Sequence, residues 1–162
     1  MDEVDRILRA WEREAPGLDA SPLRVFSRVS RLARHLDFAR KEAFDRHELE
    51  VWEFDVLAAL RREGSPYELS PGALIHQTLS TSGTMTNRID RLAARGMVER
   101  RPDPRDRRGV RVRLTPGGMA AVEGAIADLV AHEHRLLEVL TKDEADVAAD
   151  LLRRLLVPFE PE

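Results

Sequence analysis

The chain has no cysteine, aromatic residues make up only 5% of its 162 positions, and no stretch approaches the roughly 18 uninterrupted apolar residues of a membrane span. Without thiols there is no disulfide framework, no thiolate metal site, no cysteine nucleophile and no thiol redox switch. Scarce aromatics argue against a binder of single-stranded nucleic acid, which usually stacks bases on aromatic platforms. The acidic start, Met1-Asp2-Glu3, lacks the basic and apolar regions of a secretory signal. A cytoplasmic protein with no membrane partner is expected.

Catalytic constellations are equally thin. His132 and His134 in AHEHRLL stand two apart on a helix and so point to different sides, a poor metal pair. His35, His47 and His76 are scattered, Ser80 and Ser82 have no histidine and acid nearby, and Gly117-Gly118 is no phosphate loop. The paired carboxylates Asp2/Glu3 and Asp143/Glu144 fall at helix starts, where they favour the helix dipole. Neither an enzyme nor a bound metal or cofactor is expected.

Charge is plentiful, 34% of residues, and it is sorted. Between Arg88 and Arg113 ten arginines face four acidic residues, a net +6, in a chain whose formal charge is −3; the remainder therefore carries −9. A polyanion could meet only one face. A solvated surface is the ordinary explanation of a charge run, so its surroundings have to decide.

Hydrophobic spacing gives the organisation. Val4, Ile7, Leu8 and Trp11 mark an amphipathic helix stopped by Pro16-Gly17, too short to persist undocked. Ser21-Pro22 caps a long helix with Val25, Val29, Leu32, Leu36, Ala39 and Ala43 in 4,3 alternation, widened by Phe26, Ala33 and Phe44. HELEVWEFDVLAALRREG reads as a third helix ending at Gly64, with Leu49, Trp52, Val56, Leu57 and Leu60 facing the core and Asp55 placed awkwardly among them. Ser70-Pro71 caps a short helix, and after a break around Leu79 another runs to Gly96, a helix-turn-helix candidate. Strands follow over 97–101 and in VRVRLT, joined by the turn-rich PDPRDRRG. Two more helices close the chain: one with Met119, Val122, Ile126, Leu129 and Leu136, and one with a Thr141/Glu144 capping box and Ala148, Leu151, Leu152 and Leu155. The expected fold is mainly α with a small β-hairpin, one 162-residue domain built as a winged helix-turn-helix between N- and C-terminal dimerisation helices. Its parts are 1–47, 48–115 and 116–162.

On the helix from Thr81, Met85, Ile89, Leu92 and Ala93 cover one side, while Thr84, Arg88, Arg91 and Arg95 form a stripe beside Asn87. Arginine forks onto guanine and asparagine onto adenine in a major groove wide enough for one helix. Ser80, Thr81 and Ser82 lie near the helix N-terminus, where backbone amides attract phosphate. Arg105, Arg107 and Arg108 sit on a tip stiffened by two prolines, suited to a narrow minor groove, with Arg111 and Arg113 on the solvent face of the strand. The combination favours duplex DNA over a solvated surface, with a protein-binding winged helix as the rival. The long apolar stripes of the outer helices ask for a second copy, which would let two reading helices meet half-sites about 34–36 Å apart.

STSGTMTNRIDRLAARGMVERRPDPRDRRGVRVRLTPGG resembles the recognition helix and wing of the MarR family of bacterial transcription regulators, whose wing carries an Asp/Arg pattern like DPRDRR. The likeness extends over nearly the whole chain. It implies a homodimer on a pseudo-palindromic operator, with DNA contacts from Ser80, Thr81, Ser82, Thr84, Thr86, Asn87, Arg88, Arg91, Arg105, Asp106, Arg107 and Arg108. Trp11 on an added helix, Asp55 in WEFDVL and Arg88 in TMTNRIDRL further resemble the urate-responsive, PecS- and HucR-like branch, with Arg100 a less clear match. That likeness implies a repressor from which a small planar anion, urate among them, displaces a carboxylate contact and so releases DNA. A regulator answering to another aromatic or carboxylate ligand is the variant reading. Asp55, if enclosed, wants a cation, and Arg88 projects best among the helix arginines to reach it. Trp11 as core filler and Asp55 reaching solvent are the plain alternatives.

Overall fold

A computed structural model describes residues 1–104 and 106–160, the side chains of Arg107 and Arg108 excepted. Helices dominate: α1 (Glu3–Glu14), α2 (Leu23–Asp45), α3 (Val51–Glu63), α4 (Pro71–Gln77), α5 (Ser82–Ala94), α6 (Pro116–Leu137) and α7 (Lys142–Leu156), with a 3-10 turn at Val157–Phe159. The strands are β1 (Glu68–Leu69), β2 (Val98–Asp103) and β3 (Asp106–Leu114). No helix among the described residues is long and apolar enough to cross a membrane.

Local chemistry sets most of these boundaries. Ser70, Thr81, Thr115 and Thr141 each cap a helix by accepting a backbone N–H three positions on, from Ala73, Thr84, Gly118 and Glu144. Two starts differ from the sequence expectation. Pro22, not Ser21, is the residue before α2, and no side chain caps it; Ser21 instead gives its N–H to Asp19 at 3.0 Å. The third helix begins at Val51 rather than His47, because Glu48 takes a left-handed φ of 56° and turns the chain out of α2.

The architecture is a mainly α winged helix-turn-helix, with one correction. The β-hairpin expected from 97–101 and VRVRLT is a three-stranded antiparallel sheet of order β1-β3-β2, in which Glu68 pairs with Arg113 and Leu69 with Val112. Two residues are too few to leave a period-2 pattern in the sequence. The wing strands also run nearer the tip than expected, with a bulge at Pro102/Asp103.

The core lies under α4 and α5. Leu57, Leu60, Leu74, Met85 and Leu92 are fully buried, joined by Val112 from the sheet and Val122, Ala125 and Leu129 from α6. Phe44 of α2 stacks on Phe54 of α3, rings 4.0 Å apart and 13° from parallel. Gly118 lets the start of α6 pass the sheet: a Cβ there would lie 2.1 Å from the Met97 carbonyl oxygen. The outer helices are less covered. Not one residue of α7 is buried, and Val25, Phe26, Val29 and Leu32 of α2 remain 39–53% exposed.

Helix α1 docks on α2 through Val4 and an ionic clamp. Arg28 donates Nε and Nη2 to Asp2 at 2.8 and 3.0 Å and Nη2 to Asp5 at 2.7 Å. The Arg28 hydrogen bond draws the Asp2 carboxyl below its ordinary 3.8, and the Asp2 backbone N–H, then Arg28, does the same for Asp5. Groups with lowered folded values stabilise above the unfolded value and lose that contribution as the pH falls through the lowered one. Docking of α1 is therefore expected to hold at neutral pH and loosen below about pH 3.8. Emission from Trp11 in a Trp52→Phe background, followed from pH 6 to 2.5, reads this; a signal that moves only with global acid unfolding counts against the clamp.

Candidate nucleic-acid interface

Helix α5 is held from behind and offers its front. Met85, Ile89 and Leu92 are at most 1% exposed, so the helix cannot roll. Thr81, Ser82, Thr84, Thr86, Asn87 and Arg91 consequently face solvent, with Ser80 and Arg88 half-buried beside them. Thr81, the N-cap, donates its hydroxyl to Thr84 at 2.9 Å, and Thr86 donates back to the Ser82 carbonyl at 3.1 Å. An open groove of about 480 Å³ runs along this face, lined by Trp52, Gly83, Thr84, Asn87, Arg88 and Arg91.

The three arginines of the stripe have unequal surroundings. Arg95, though partly exposed, is not free as expected and turns its guanidinium back towards α3: Nη1 donates to Glu53 at 2.6 Å and Nη2 to the Glu48 carbonyl at 2.7 Å. Glu53 is 1% exposed, so its carboxylate is the one buried charge of the described core and needs that partner. The Glu53 hydrogen bond raises the Arg95 pKa further, so this guanidinium is charged throughout. Arg91 is half committed, donating to Glu50 at 2.8 Å and lying 4.8 Å from the Trp52 ring centroid. Arg88 lies 5.4 Å from the same centroid and donates to Ser80 at 3.3 Å.

The expected link between Asp55 and Arg88 is not formed. Asp55 accepts instead from Arg40 of α2 at 3.3 Å, in a cleft shared with Arg62, Gln77, Thr78 and Leu79. Asp55 lies about one turn beyond Trp52 on α3; at its position the neighbouring cation is Arg40 of α2, whereas the arginines of α5 lie against Trp52. Trp11, 45% exposed on α1, lines neither this cleft nor the groove that holds Arg88. Arg100, at the base of the wing, pairs with Asp90 of α5 rather than with any of these. The structure thus leaves Trp11, Asp55, Arg88 and Arg100 in separate surroundings.

At the wing, Arg111 is pinned to Asp103 at 2.8 Å, not free on the solvent face. Asp106 is exposed where β3 begins. Arg105 and the side chains of Arg107 and Arg108 lie outside the described residues. Sequence reasoning missed Arg40, Glu50 and the role of Trp52. Spacing places Trp52 with the core-facing residues of α3, and only its neighbours Glu50 and Glu53, acids opposite an arginine-rich helix, hint otherwise.

A family model described as MarR family matches residues 47–109. The HTH-type transcriptional regulator PecS of Dickeya dadantii is 35% identical over 153 residues, spanning 94% of this chain and 92% of that protein. The chain belongs to the MarR family. Within it the protein is a PecS-like transcriptional regulator, not an enzyme. The multiple antibiotic resistance protein MarR of Escherichia coli is 38% identical over 109 residues, 64% of this chain and 71% of the relative. A crystal structure of an Escherichia coli MarR mutant complexed with operator DNA is similar at a TM-score of 0.67 and 27% identity, covering 90% of this chain and 97% of that one.

Proposed function

We propose that this MarR-family regulator is a cytoplasmic homodimer that reads a pseudo-palindromic operator and represses until a small planar anion, urate being the candidate, releases it. The observation that carries the DNA reading is α5: a helix locked by three buried side chains, presenting Thr84, Asn87, Arg88 and Arg91 together, with Thr81 capping its free amides. Thr81, Ser82 and Ser80 meet phosphate at that end, and Thr86 borders the bases. Arg105, Asp106, Arg107 and Arg108 carry the wing into the minor groove. Residues 48–115 do the reading, and 1–47 with 116–162 supply the pairing surface. Support for pairing comes from the leucines of α7, 41–57% exposed in one protomer, and from the bare N-terminal half of α2.

For the ligand, Trp11, Asp55, Arg88 and Arg100 remain the candidates, with a changed mechanism. Since Asp55 is held by Arg40, an anion need not break an Asp55 contact to act on α5. An anion bound at Arg88 competes with DNA for the same guanidinium, because one fork cannot serve both. Repression and its release follow from that competition.

The test is a mobility shift on the promoter-proximal DNA of its own gene, titrated with salt and with urate. Each arginine–phosphate contact steepens the salt dependence by about 0.9 on a log–log scale, so 6–10 contacts weaken binding by about 10³–10⁵ between 50 and 200 mM salt. A flat response overturns the electrostatic reading. Millimolar urate is expected to free the DNA by competing for Arg88. No release by urate, with xanthine and salicylate alongside, removes urate and leaves the regulator.

A further inference from the structure

Glu50 and Trp52 belong to neither the DNA nor the ligand set, yet they surround the two outward arginines of α5. The indole Nε1 of Trp52 donates to one Glu50 oxygen at 2.6 Å, and the other oxygen accepts Arg91 Nη2 at 2.8 Å. Both guanidiniums of Arg88 and Arg91 lie within cation–π range of that indole. A residue at the start of α3 therefore sets the direction of side chains on α5.

We propose that Trp52 and Glu50 form a latch on the reading helix: Trp52 is a positioning residue that aims Arg88 and Arg91 into the groove, and Glu50 occupies Arg91 until a backbone phosphate takes its place. This rests on the DNA reading above and names how that surface is tuned.

Three observations set the strength of the latch. Arg91 and Glu50 are 53% and 58% exposed, so water and salt weaken their pair, more than the half-buried Arg95–Glu53 pair one turn further on. The exchange of carboxylate for phosphate swaps one charge-assisted hydrogen bond for another of the same kind. Glu50 itself stays at the edge of the interface as a negative charge facing a polyanion. It opposes any duplex, and most where Arg91 has not been fully handed over to phosphate, whereas base contacts by Arg88 and Asn87 favour the operator alone. The latch thus trades affinity for discrimination: weak nonspecific complexes lose more than the operator complex does, because only the latter holds α5 deep enough for full exchange.

The experiment compares wild type, Glu50→Gln, Trp52→Phe and Trp52→Leu on a random-sequence 40-bp duplex and on the promoter-proximal DNA, between 50 and 200 mM salt. Glu50→Gln keeps the size of the side chain and the hydrogen-bond acceptor for Trp52 and removes the charge. It is expected to bind the random duplex about tenfold more tightly, to gain less on the promoter DNA, and to steepen the salt slope by up to about one unit. Trp52→Leu loses binding on both DNAs by about tenfold, and Trp52→Phe, which keeps a ring face, restores most of it. A merely structural Trp52 would lower thermal stability without changing the salt slope of the folded fraction. Unchanged affinity and slope in Glu50→Gln overturn the latch. Absence of wild-type binding to both DNAs at 50 mM salt overturns the DNA reading itself, so the two failures are distinct.

Discussion

Leu151→Glu with Leu155→Glu on α7 is expected to turn the regulator into a helical monomer at micromolar concentration and to weaken operator binding about a thousandfold. Within one protomer these leucines are 50% and 41% exposed and no residue of α7 is buried, so their replacement removes little that a single chain needs. Under the proposed pairing, what they give up is the partner. One reading helix and one wing span too few base pairs for tight binding, and pairing makes the second half-site an intramolecular encounter. The two carboxylates added to each protomer would meet their copies across a two-fold axis, where like charges repel in a desolvated seam. Size-exclusion chromatography with light scattering reads the mass, circular dichroism the helix content, and a mobility shift the affinity. A double variant that remains dimeric places the pairing surface elsewhere, with the bare stripe of Val25, Val29 and Leu32 on α2 next in line.

Periodicity made the helices legible and could not name their partners. The face of α5 followed from the spacing of Met85, Ile89 and Leu92, and all three are buried. Ser70, Thr115 and Thr141 announced helix starts because a hydroxyl just before an apolar run has one local use, accepting an orphan N–H. Asp55 shows the limit. Its place on α3 was legible, but whether α2 or α5 supplies its cation depends on how two helices cross, which no local pattern records; Arg40 supplies it. Arg95 shows the same limit from the other side. A stripe projected at 100° per residue counts it with Arg88 and Arg91, yet Glu53, 42 positions earlier, draws it inward. Trp52 was legible as large and apolar, and its contact with two guanidiniums depends on the same crossing. The short β1 was invisible because its pairing is carried by β3 and not by its own sequence.

That inward turn of Arg95 separates two arginines one helical turn apart, and mutation should do the same. Arg95→Ala strands the Glu53 carboxylate, 1% exposed, with the Glu50 backbone N–H at 3.0 Å as its remaining donor. Stranding a buried charge costs about 3–5 kcal/mol, the low end applying here because Arg95 is itself one-third exposed. For a domain of this size each kcal/mol moves Tm by about 2–4 °C, so a fall of roughly 10 °C is expected. Replacing both partners, Glu53→Met with Arg95→Met, should recover most of that loss, because the charge that needed a partner has gone. Arg91→Ala breaks only an exposed pair, about 0.2–1 kcal/mol, and leaves Tm nearly unchanged while DNA affinity falls. Thermal unfolding at one fixed protein concentration, since a dimer's Tm depends on it, measures all three beside a mobility shift. If Arg91→Ala proves as destabilising as Arg95→Ala, the division between a scaffold arginine and a DNA-facing one is wrong, and α5 is fastened along its whole length rather than at its C-terminal end.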